Sequence, residues 1–357
     1  NDANYSVPKY HFNRSAAYAF ATRFNLYYLK WEKVVEYASE VLGSDPSTVM
    51  RDWSAVKQLP WDSSVRTLDY ISVGHSFNLL MIPLVTGNGA LFHAWSGTGA
   101  RFTHNYRIAK KETYRAKRPM GGPWDRWGNN CIEEVYQHPP FIWQGNDVNK
   151  IYMPKWPNQW EVTDPVTGVG IGRSTMVAFT TNETVLSRAE AYVHLKEYDK
   201  AVADLNAWIG SFYLVGQNGI EPLTRERIAE VYGDPSSDRY IAEYTALEPT
   251  SRKPLHPHGF TVETGEQEHL IQSTLFCRRI ETIADGLRWG DIKRYGIVVD
   301  RFDDSAYNDD NTTGFTVAAT LGEKDLRRAL QLPQEVITAG LEANPRNENR
   351  PDHPFCQ

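Results

Sequence analysis

Residues 186–208, LSRAEAYVHLKEYDKAVADLNAW, decide the fold of this chain. Their apolar side chains recur at intervals of three and four, the spacing that places them on one face of an α-helix. A short turn at Lys196 and Glu197 separates two such patterns. The stretch therefore predicts a pair of helices within residues 183–210. The residues expected to pack are Leu186, Ala189, Ala191, Tyr192 and Leu195 in the first helix, and Tyr198, Ala201, Val202, Leu205 and Trp208 in the second.

Residues 14–43 repeat this design, with a break at Leu29 and Lys30 between two amphipathic helices. Aligning YYLKWEKVVEYASEVL (27–42) with VHLKEYDKAVADLNAW (193–208) puts an aromatic residue, a Lys and a Val at matching positions. Small residues between paired helices, with an aromatic residue after a short turn, are typical of tetratricopeptide repeats. Two pairs are too few for a solenoid, so other segments must complete the packing. We therefore predict a mainly α fold with tetratricopeptide-like helical pairs.

A third helical pattern runs from about Glu266 to Tyr295 and ends in FCRRIETIADGLRWGDIKRYG (276–296). Its charged residues are too dense for a simple solvent-exposed face. Glu281 and Asp285 share a helix face at a spacing of four residues, and Asp285 and Arg288 at a spacing of three, so ion pairs within the helix are available. We interpret this stretch as a structural network of charges rather than as a ligand site.

Composition and charge exclude several classes of protein. The chain has 357 residues, of which 41% are hydrophobic and 23% charged, as in ordinary globular proteins. Its 38 Lys and Arg against 44 Asp and Glu give a net charge of −6, so a broad basic surface for nucleic acid is not expected. No apolar run approaches the about 18 residues of a membrane-spanning helix. Three cysteines without a CxxC motif are too few for a disulfide framework.

Residues 51–182 differ from the helical stretches because they are rich in Pro, Gly and Trp. Eight of the 11 tryptophans lie between Trp53 and Trp160. An indole stacks on the apolar face of a sugar ring, while Asp, Asn and Arg side chains bind its hydroxyls. We therefore predict a loop-rich ligand-binding face; the alternative is that these tryptophans pack the loops onto the helices. The candidate ligand-binding residues are Trp124, Asp125, Arg126, Trp127 and Asn129, with Trp95, Trp156 and Trp160 as further candidates.

Motifs for catalysis and for metal binding are missing from the sequence. There is no GxSxG, GxxxxGK[ST] or HExxH motif, so we predict no catalytic residues, no metal site and no cofactor. His93 and the pair His256 and His258 are interpreted as ordinary loop histidines. The acidic stretch from Asp303 to Gly314 is faintly similar to an oxygen-rich calcium loop but lacks its terminal Glu, which leaves calcium as an open alternative.

Four segments together resemble the SusD/RagB family of bacterial outer-membrane nutrient-binding lipoproteins. Two of them are the helical pairs, and a third is ALQLPQEVITAGLEANPRNEN (329–349). The most specific is RRIETIADGLRWGDIKRYG (278–296), in which an Arg-rich helix with a Glu leads into Gly-x-Arg-Trp-x-Asp-x-Lys-Arg. The four segments occur in the order and with the spacing of that family.

The resemblance implies a function and a location. It indicates a surface-exposed outer-membrane protein that captures oligosaccharides, delivers them to a SusC-like TonB-dependent transporter and breaks no bond. It also implies one integrated domain, with a helical repeat region at 1–50, the ligand-binding region at 51–182 and a helical and C-terminal region at 183–357. Family members are usually longer, so we expect the signal peptide and the lipid anchor to lie outside this chain.

Three alternatives remain at this point. Some relatives in the family capture peptides, which would favour grooves of backbone hydrogen bonds over flat aromatic surfaces. A glycoside hydrolase would need two carboxyl groups about 5 to 9 Å apart across a cleft, and no sequence motif marks such a pair. A repeat adaptor that binds only protein would bury the Trp-rich loops.

Overall fold

The computed structural model describes residues 2–60, 63–92, 104–124, 134–137, 141–143, 150–152, 155–303 and 316–346. The chain divides into two compact units. The first consists of the described residues within 1–245, 249–252 and 262–288, and the second of those within 246–248, 253–261 and 289–357. The three regions predicted from the sequence do not coincide with these units and stay a prediction.

Helices predominate in both the number and the length of the elements, so the mainly α prediction is confirmed. The longer helices are α1 (Arg14–Tyr27), α2 (Trp31–Leu42), α7 (Thr181–His194), α8 (Tyr198–Phe212) and α10 (Glu266–Glu281). The shorter ones are α3 (Trp53–Lys57), α4 (Ser63–Tyr70), α5 (Asn88–Phe92), α6 (Tyr106–Glu112), α9 (Arg225–Gly233), α11 (Arg288–Arg294) and α12 (Gln334–Thr338). Within the described ranges, no helix has both the length and the apolar character needed to cross a membrane.

The strands are short and belong to three small antiparallel sheets. Strands β1 (Asn78–Val85), β6 (Val169–Thr180) and β5 (Gln159–Asp164) lie side by side in that order. Strands β2 (His104–Asn105), β4 (Lys150–Tyr152) and β3 (Phe141–Trp143) form the second sheet, and β7 (Val299–Asp303) with β8 (Thr316–Leu321) the third. Strand β6 continues directly into α7, where the Thr180 side chain caps the helix by accepting a hydrogen bond from the Glu183 N–H.

The two helical pairs, α1–α2 and α7–α8, turn in the same way. Leu29 and Lys196 both have a φ of 61°. In each turn this residue's N–H bonds to the carbonyl three residues earlier, and the following N–H to the carbonyl five residues earlier. Trp31 therefore matches Tyr198, which is one residue out of the register of the sequence alignment. The alignment was wrong by that residue because it matched Lys30 with Lys196, whereas the turn geometry sets the true register.

Helix α7 lies at the centre of the first unit, in contact with α1, α2, α8 and α10. Twelve of its 14 residues are buried. Leu26 of α1, Val34 of α2 and Ala191 of α7 form one apolar cluster among these helices. The prediction that the helical pairs need a further segment to complete their packing is therefore confirmed, and α10 supplies it.

The third predicted helical stretch is broken into two helices. Helix α10 ends at Glu281 and α11 begins at Arg288. Ala284 and Gly286, which lie between them, have φ angles of 68° and 78°. A right-handed helix cannot pass through residues in this conformation. The expectation of a continuous helix to Tyr295 was wrong because the apolar spacing continues across the break.

The second unit has its own polar anchor in Arg328, which is 7% exposed. Its guanidinium donates to the carbonyl of Ile292 at 2.9 Å and to that of Gly322 at 2.7 Å.

Gly296 adopts a φ of 58°, and a Cβ there would lie 2.3 Å from the carbonyl oxygen of His256. The family-like stretch at 278–296 thus includes a glycine that no other residue could replace without moving the backbone.

Candidate functional site

The structure describes three of the predicted ligand-binding residues, Trp124, Trp156 and Trp160. These three differ sharply in exposure, from 7% for Trp156 through 39% for Trp124 to 63% for Trp160. The other predicted residues lie outside the described part of the chain: Trp95, Asp125, Arg126, Trp127 and Asn129.

Trp124 is half exposed at the end of a loop that follows α6. The Lys117 ammonium lies 4.9 Å from the centroid of its ring, in cation–π contact. The same Lys117 donates a hydrogen bond to the carbonyl oxygen of Asp238 at 2.8 Å. Lys117 therefore links the indole to the loop after α9 and fixes the position of both.

Two glycines place the Trp124 loop against its neighbour. Gly121 and Gly122 have φ angles of 83° and 82°, which favour glycine. A Cβ on Gly121 would lie 2.6 Å from the carbonyl oxygen of Gly219, and one on Gly122 would lie 2.3 Å from the Ile220 side chain. The Gly-Gly-Pro-Trp sequence is thus needed for a close approach between two loops, with Trp124 at its edge.

The buried side chain of Arg118 anchors the same loop through hydrogen bonds to its backbone. It is 5% exposed, and its guanidinium donates to the carbonyl oxygens of Pro123 at 2.9 Å, Gly121 at 3.2 Å and Tyr114 at 3.0 Å. Hydrogen bonds from a charged donor to several carbonyls are stronger than neutral ones. The backbone that carries Trp124 is therefore rigid, which lowers the entropic cost of binding a ligand there.

A cavity of about 430 Å³ opens beside Trp124. That volume lies within the usual range of small-ligand sites. Polar side chains of Glu134, Asn218, Asp238 and Arg239 line it, together with Gly121, Gly122, Pro123 and Gly219. One aromatic surface, two carboxylates, an amide and a guanidinium are suited to a ligand that has both an apolar face and many hydroxyls.

Trp156 has the other role considered for the tryptophans, that of packing a loop onto the helices. Its indole N–H donates to the carbonyl oxygen of Ala284 at 3.0 Å, and its ring lies 6.0 Å from that of Phe92. Next to it, buried Lys155 forms an ion pair with Asp285 at 2.7 Å. The predicted ligand-binding role of Trp156 is not supported by this placement, because its ring is in the interior and does not face solvent.

Trp160 is an exposed indole on strand β5. Its ring lies across Gly170 of β6, where a Cβ would come within 2.7 Å of the indole nitrogen. The strand lies at the edge of its sheet, and five of its six residues are exposed. Trp160 therefore remains a candidate contact residue, on a different element from Trp124.

A buried charge network lies around the end of α10, as the sequence predicted, although its partners come from distant segments. The Trp208 indole N–H donates to the Glu281 carboxylate at 2.8 Å, and Arg23 donates to Glu183 at 2.7 Å. Burial raises the pKa of Glu281. For Lys155, burial acts to lower the pKa, but the Asp285 carboxylate outweighs it and the pKa lies above its usual value.

Three carboxylates, those of Glu183, Glu281 and Asp285, line a cavity of about 120 Å³. Each has a donor within hydrogen-bond distance: Arg23 for Glu183, Trp208 for Glu281 and Lys155 for Asp285. These interactions join α1 to α7, α8 to the end of α10, and the segment before β5 to the turn after α10. The arrangement is that of a structural network rather than of an acid and a base flanking a substrate bond.

Metal and nucleophile candidates find no support among the described residues. No group of three or more His, Cys, Asp and Glu within these ranges is arranged to hold a metal ion. His256 lies 3.6 Å from Glu323, an ordinary surface pair. Cys277 is buried, which raises the pKa of its thiol well above the usual value. Most of the predicted calcium stretch, residues 304–314, lies outside the described residues, as do Cys131 and Cys356.

No family model matches the chain, and no curated protein matches it either. Several solved structures are similar to it. A SusD superfamily protein from Bacteroides thetaiotaomicron is 14% identical with a TM-score of 0.44, covering 80% of this chain and 50% of that one. A putative sugar binding protein from Bacteroides vulgatus is 18% identical with a TM-score of 0.48, covering 93% and 59%.

A SusD-like protein from Bacteroides fragilis is 15% identical with a TM-score of 0.47, and the match covers 95% of this chain and 66% of that chain. This chain thus spans between about half and two thirds of the length of these structures. Two of these three structures are described as SusD superfamily or SusD-like proteins.

Proposed function

We propose that this chain captures oligosaccharides at the cavity beside Trp124. The observation that carries the proposal is a half-exposed indole, fixed on a rigid loop, at the edge of a cavity with polar walls. A sugar ring would place its C–H face on the exposed part of Trp124. Its hydroxyls would then meet Glu134 on one loop, Asn218 on a second, and Asp238 and Arg239 on a third.

Lys117 supports ligand binding because it holds the Trp124 indole in place before the ligand arrives. Since its ammonium already lies 4.9 Å from the ring centroid and bonds to the Asp238 carbonyl, it needs little rearrangement when a ligand binds. No covalent step is part of the proposal, so the site has to bind and release its ligand. Trp127, Asp125, Arg126 and Asn129 follow Trp124 in the sequence and are proposed to extend the same surface, with Trp95 and Trp160 as further contacts.

The wider role that we propose follows from the ordered sequence motifs. The chain would act at the bacterial cell surface, held at the outer membrane by a lipid anchor outside this chain. It would pass its glycan to a SusC-like TonB-dependent transporter. The helical pairs would form the scaffold that presents the binding loops.

The test is a titration of the protein with a panel of oligosaccharides, followed by tryptophan fluorescence and calorimetry. We expect at least one glycan to bind with a Kd between about 1 μM and 1 mM. Trp124→Ala should weaken that binding at least about tenfold, which corresponds to 1.4 kcal/mol. Tyr28→Ala is the matched control, because it removes an aromatic side chain that is more exposed, lies on another element and does not line the cavity.

Each outcome of the titration is decisive. Binding that survives Trp124→Ala but is lost with Trp160→Ala would move the site to β5. Failure of every glycan, together with a response to peptides, would replace glycan capture by peptide capture. Failure of both classes of ligand would contradict the capture function of this chain.

Peptide capture is the second candidate because of strand β5. Within the described residues this strand has no neighbour beyond β6, so one side of its backbone is open to an added strand. Peptides commonly bind by extending a sheet at such an edge. A peptide response that is lost on replacing Val162 by Pro, and unaffected by Trp124→Ala, would support this alternative.

A further inference from the structure

A cavity of about 960 Å³ lies between the two helical pairs and has no part in the proposed function. Its volume is more than twice that of the cavity beside Trp124 and falls near the upper end of the range for small-ligand sites. Its walls come from the end of α2, the segment that follows α2, and helices α7 and α8. The two cavities have no lining residue in common.

A second cavity, of about 380 Å³, continues from the first along α8. The two share Ser47, Asn206 and Ala207, and together they follow α8 from Lys200 to Ser211. At 1.5 Å per residue, this stretch of helix is about 16 Å long. We call the two cavities together the α8 groove. Its length suits a short oligomer rather than a single small molecule.

Helix α8 leaves the groove open because it presents small residues to it. Ala203, Ala207 and Gly210 are spaced by four and three residues, so they lie on one face of the helix. Among the described residues that line the groove, Pro46 and Met50 are the only aliphatic side chains larger than alanine. The groove therefore has little to offer the apolar side chains of an ordinary peptide.

A buried ion pair forms part of the wall of the larger cavity. The side chains of Arg188 and Asp204 are 6% and 5% exposed. Arg188 donates from Nε and Nη2 to the two carboxylate oxygens of Asp204 at 2.8 Å and 2.7 Å, and from Nη1 to the Ser39 hydroxyl at 3.2 Å. A guanidinium has five N–H groups, so two remain available, and each carboxylate oxygen keeps a lone pair. This wall therefore offers donors and acceptors side by side.

Tyr192 and Asp45 add one further group of each kind. The Lys200 ammonium and the Arg188 guanidinium lie 5.4 Å and 5.8 Å from the centroid of the Tyr192 ring and hold it in place. The Tyr192 hydroxyl has no hydrogen-bond partner among the described residues. Asp45 accepts from Ser47 through Oδ1, which leaves Oδ2 as an acceptor.

The charges that line the groove identify the class of ligand. In the larger cavity, Arg188 and Lys200 balance Asp45 and Asp204, and in the extension Arg51 balances Asp52. An ion would lose its hydration without gaining an excess of opposite charge. Hydroxyl groups both donate and accept, so a neutral polyhydroxylated ligand can use both kinds of group and leaves no charge unpaired.

We propose that the α8 groove is a second binding site for a neutral oligosaccharide. The hydroxyls of the ligand would meet Arg188 and Asp204 on the buried wall and the Tyr192 hydroxyl beside it. This site adds to the proposed function and does not rest on the cavity beside Trp124, because the two share no residue.

The test uses Trp124→Ala as the background, so that the first site contributes little. Calorimetry follows neutral hexasaccharides of glucose, mannose or xylose, and we expect at least one to bind with a Kd between about 0.1 and 10 mM. Adding Ala203→Trp should weaken that binding at least about tenfold, because the indole occupies the groove. Ala203 is exposed, so the change removes no core contact, and circular dichroism checks the fold. Ala339→Trp, at an exposed alanine outside the groove, should leave the Kd unchanged.

Two further measurements test the chemistry of the site. Tyr192→Phe keeps the ring and its cation contacts but removes the hydroxyl, and it should weaken binding by about threefold to tenfold. Raising the salt concentration from about 50 mM to about 500 mM should change the Kd by less than about twofold, because the lining carries no net charge.

The outcomes separate the groove from the first site. If Trp124→Ala removes all binding and Ala203→Trp has no effect in the otherwise unaltered protein, the groove is overturned and the Trp124 site stands. If binding survives Trp124→Ala in full and is lost with Ala203→Trp, the groove is supported and the Trp124 site is contradicted. A hexauronate or an acidic hexapeptide that binds more tightly than every neutral hexasaccharide, and is lost with Ala203→Trp, would overturn the neutral ligand class.

Discussion

The two helical pairs share one turn geometry but differ in how deeply they are buried. In the pair α7–α8, helix α7 has 12 buried residues out of 14, while α1 in the other pair has only Ala16, Ala19, Thr22 and Leu26. Each pair also has an ion pair between its helices. Arg188 and Asp204 are 6% and 5% exposed and bond at 2.7 Å, whereas Arg14 and Glu40 are 73% and 50% exposed at 3.7 Å.

The difference shows that the turn and the environment are specified separately. The same hydrogen-bond pattern at Leu29 and Lys196 closes both turns, whatever surrounds them. Burial depends instead on which elements lie alongside: α7 has α1, α2, α8 and α10 around it, while α1 exposes Phe20 and Phe24. The central pair therefore carries the stability of the unit, and the outer pair offers a surface.

The largest expected loss of stability comes from replacing Trp208 in the central pair, compared with the residue at the matching position of the outer pair. Trp208 is fully buried and its indole N–H bonds to Glu281, and the position that matches it in the outer pair is the partly buried Val41. We expect Trp208→Ala to lower the free energy of unfolding by about 3–5 kcal/mol, because it leaves a cavity and strands the carboxylate. Val41→Ala should cost no more than about 1.5 kcal/mol. The free energy of unfolding of both variants is measured by chemical denaturation.

Equal losses for these two variants would break the comparison, since they would show that the outer pair is as tightly packed as the central one. Circular dichroism of each variant before denaturation serves as the control for a native helical content.

The two ion pairs give the next largest contrast. Asp204→Ala leaves the Arg188 guanidinium buried without its carboxylate, and we expect a loss of about 3 kcal/mol. Glu40→Ala removes one partner of an exposed pair and should change stability by less than about 0.5 kcal/mol. A higher salt concentration gives a second test, because it should reduce only the small contribution of the Arg14–Glu40 pair to stability. A large loss for Glu40→Ala would contradict the assignment of the outer pair to the surface.

The helical pairs could be predicted from the sequence because apolar spacing is a local signal. Their register could not, because it depends on the φ of Leu29 and Lys196 rather than on residue identity. The break at Ala284 was missed for a similar reason, since alanine is a good helix former and adopts its φ of 68° under tertiary constraints. The ion pair of Lys155 with Asp285 joins residues far apart in sequence, and no local pattern marks it.

The candidate site could be predicted only by residue type. Trp124, Trp156 and Trp160 all stand in a loop-rich stretch, yet the structure exposes two of them and buries the third. The Gly-Gly-Pro sequence before Trp124 was a usable signal, because tandem glycines permit the close approach that holds the loop. The lining residues Asn218, Asp238 and Arg239 were missed because they come from loops after α8 and α9, and no local pattern connects those loops with Trp124.

The smallest expected effect is a pH dependence of stability, which tests the contact between the central pair and α10. Burial raises the pKa of Glu281, so the folded state holds its proton more tightly than the unfolded chain does. Stability from this group is therefore present at low pH and is lost as pH rises through the carboxyl range. Glu281→Gln keeps an acceptor for the Trp208 N–H but cannot ionise. We expect the unfolding free energy of the unaltered protein, relative to this variant, to decrease as pH is raised from about 4 to about 7. A difference that grows with pH would instead mean that Lys155 and Arg51 stabilise the charged form of Glu281 more than burial opposes it.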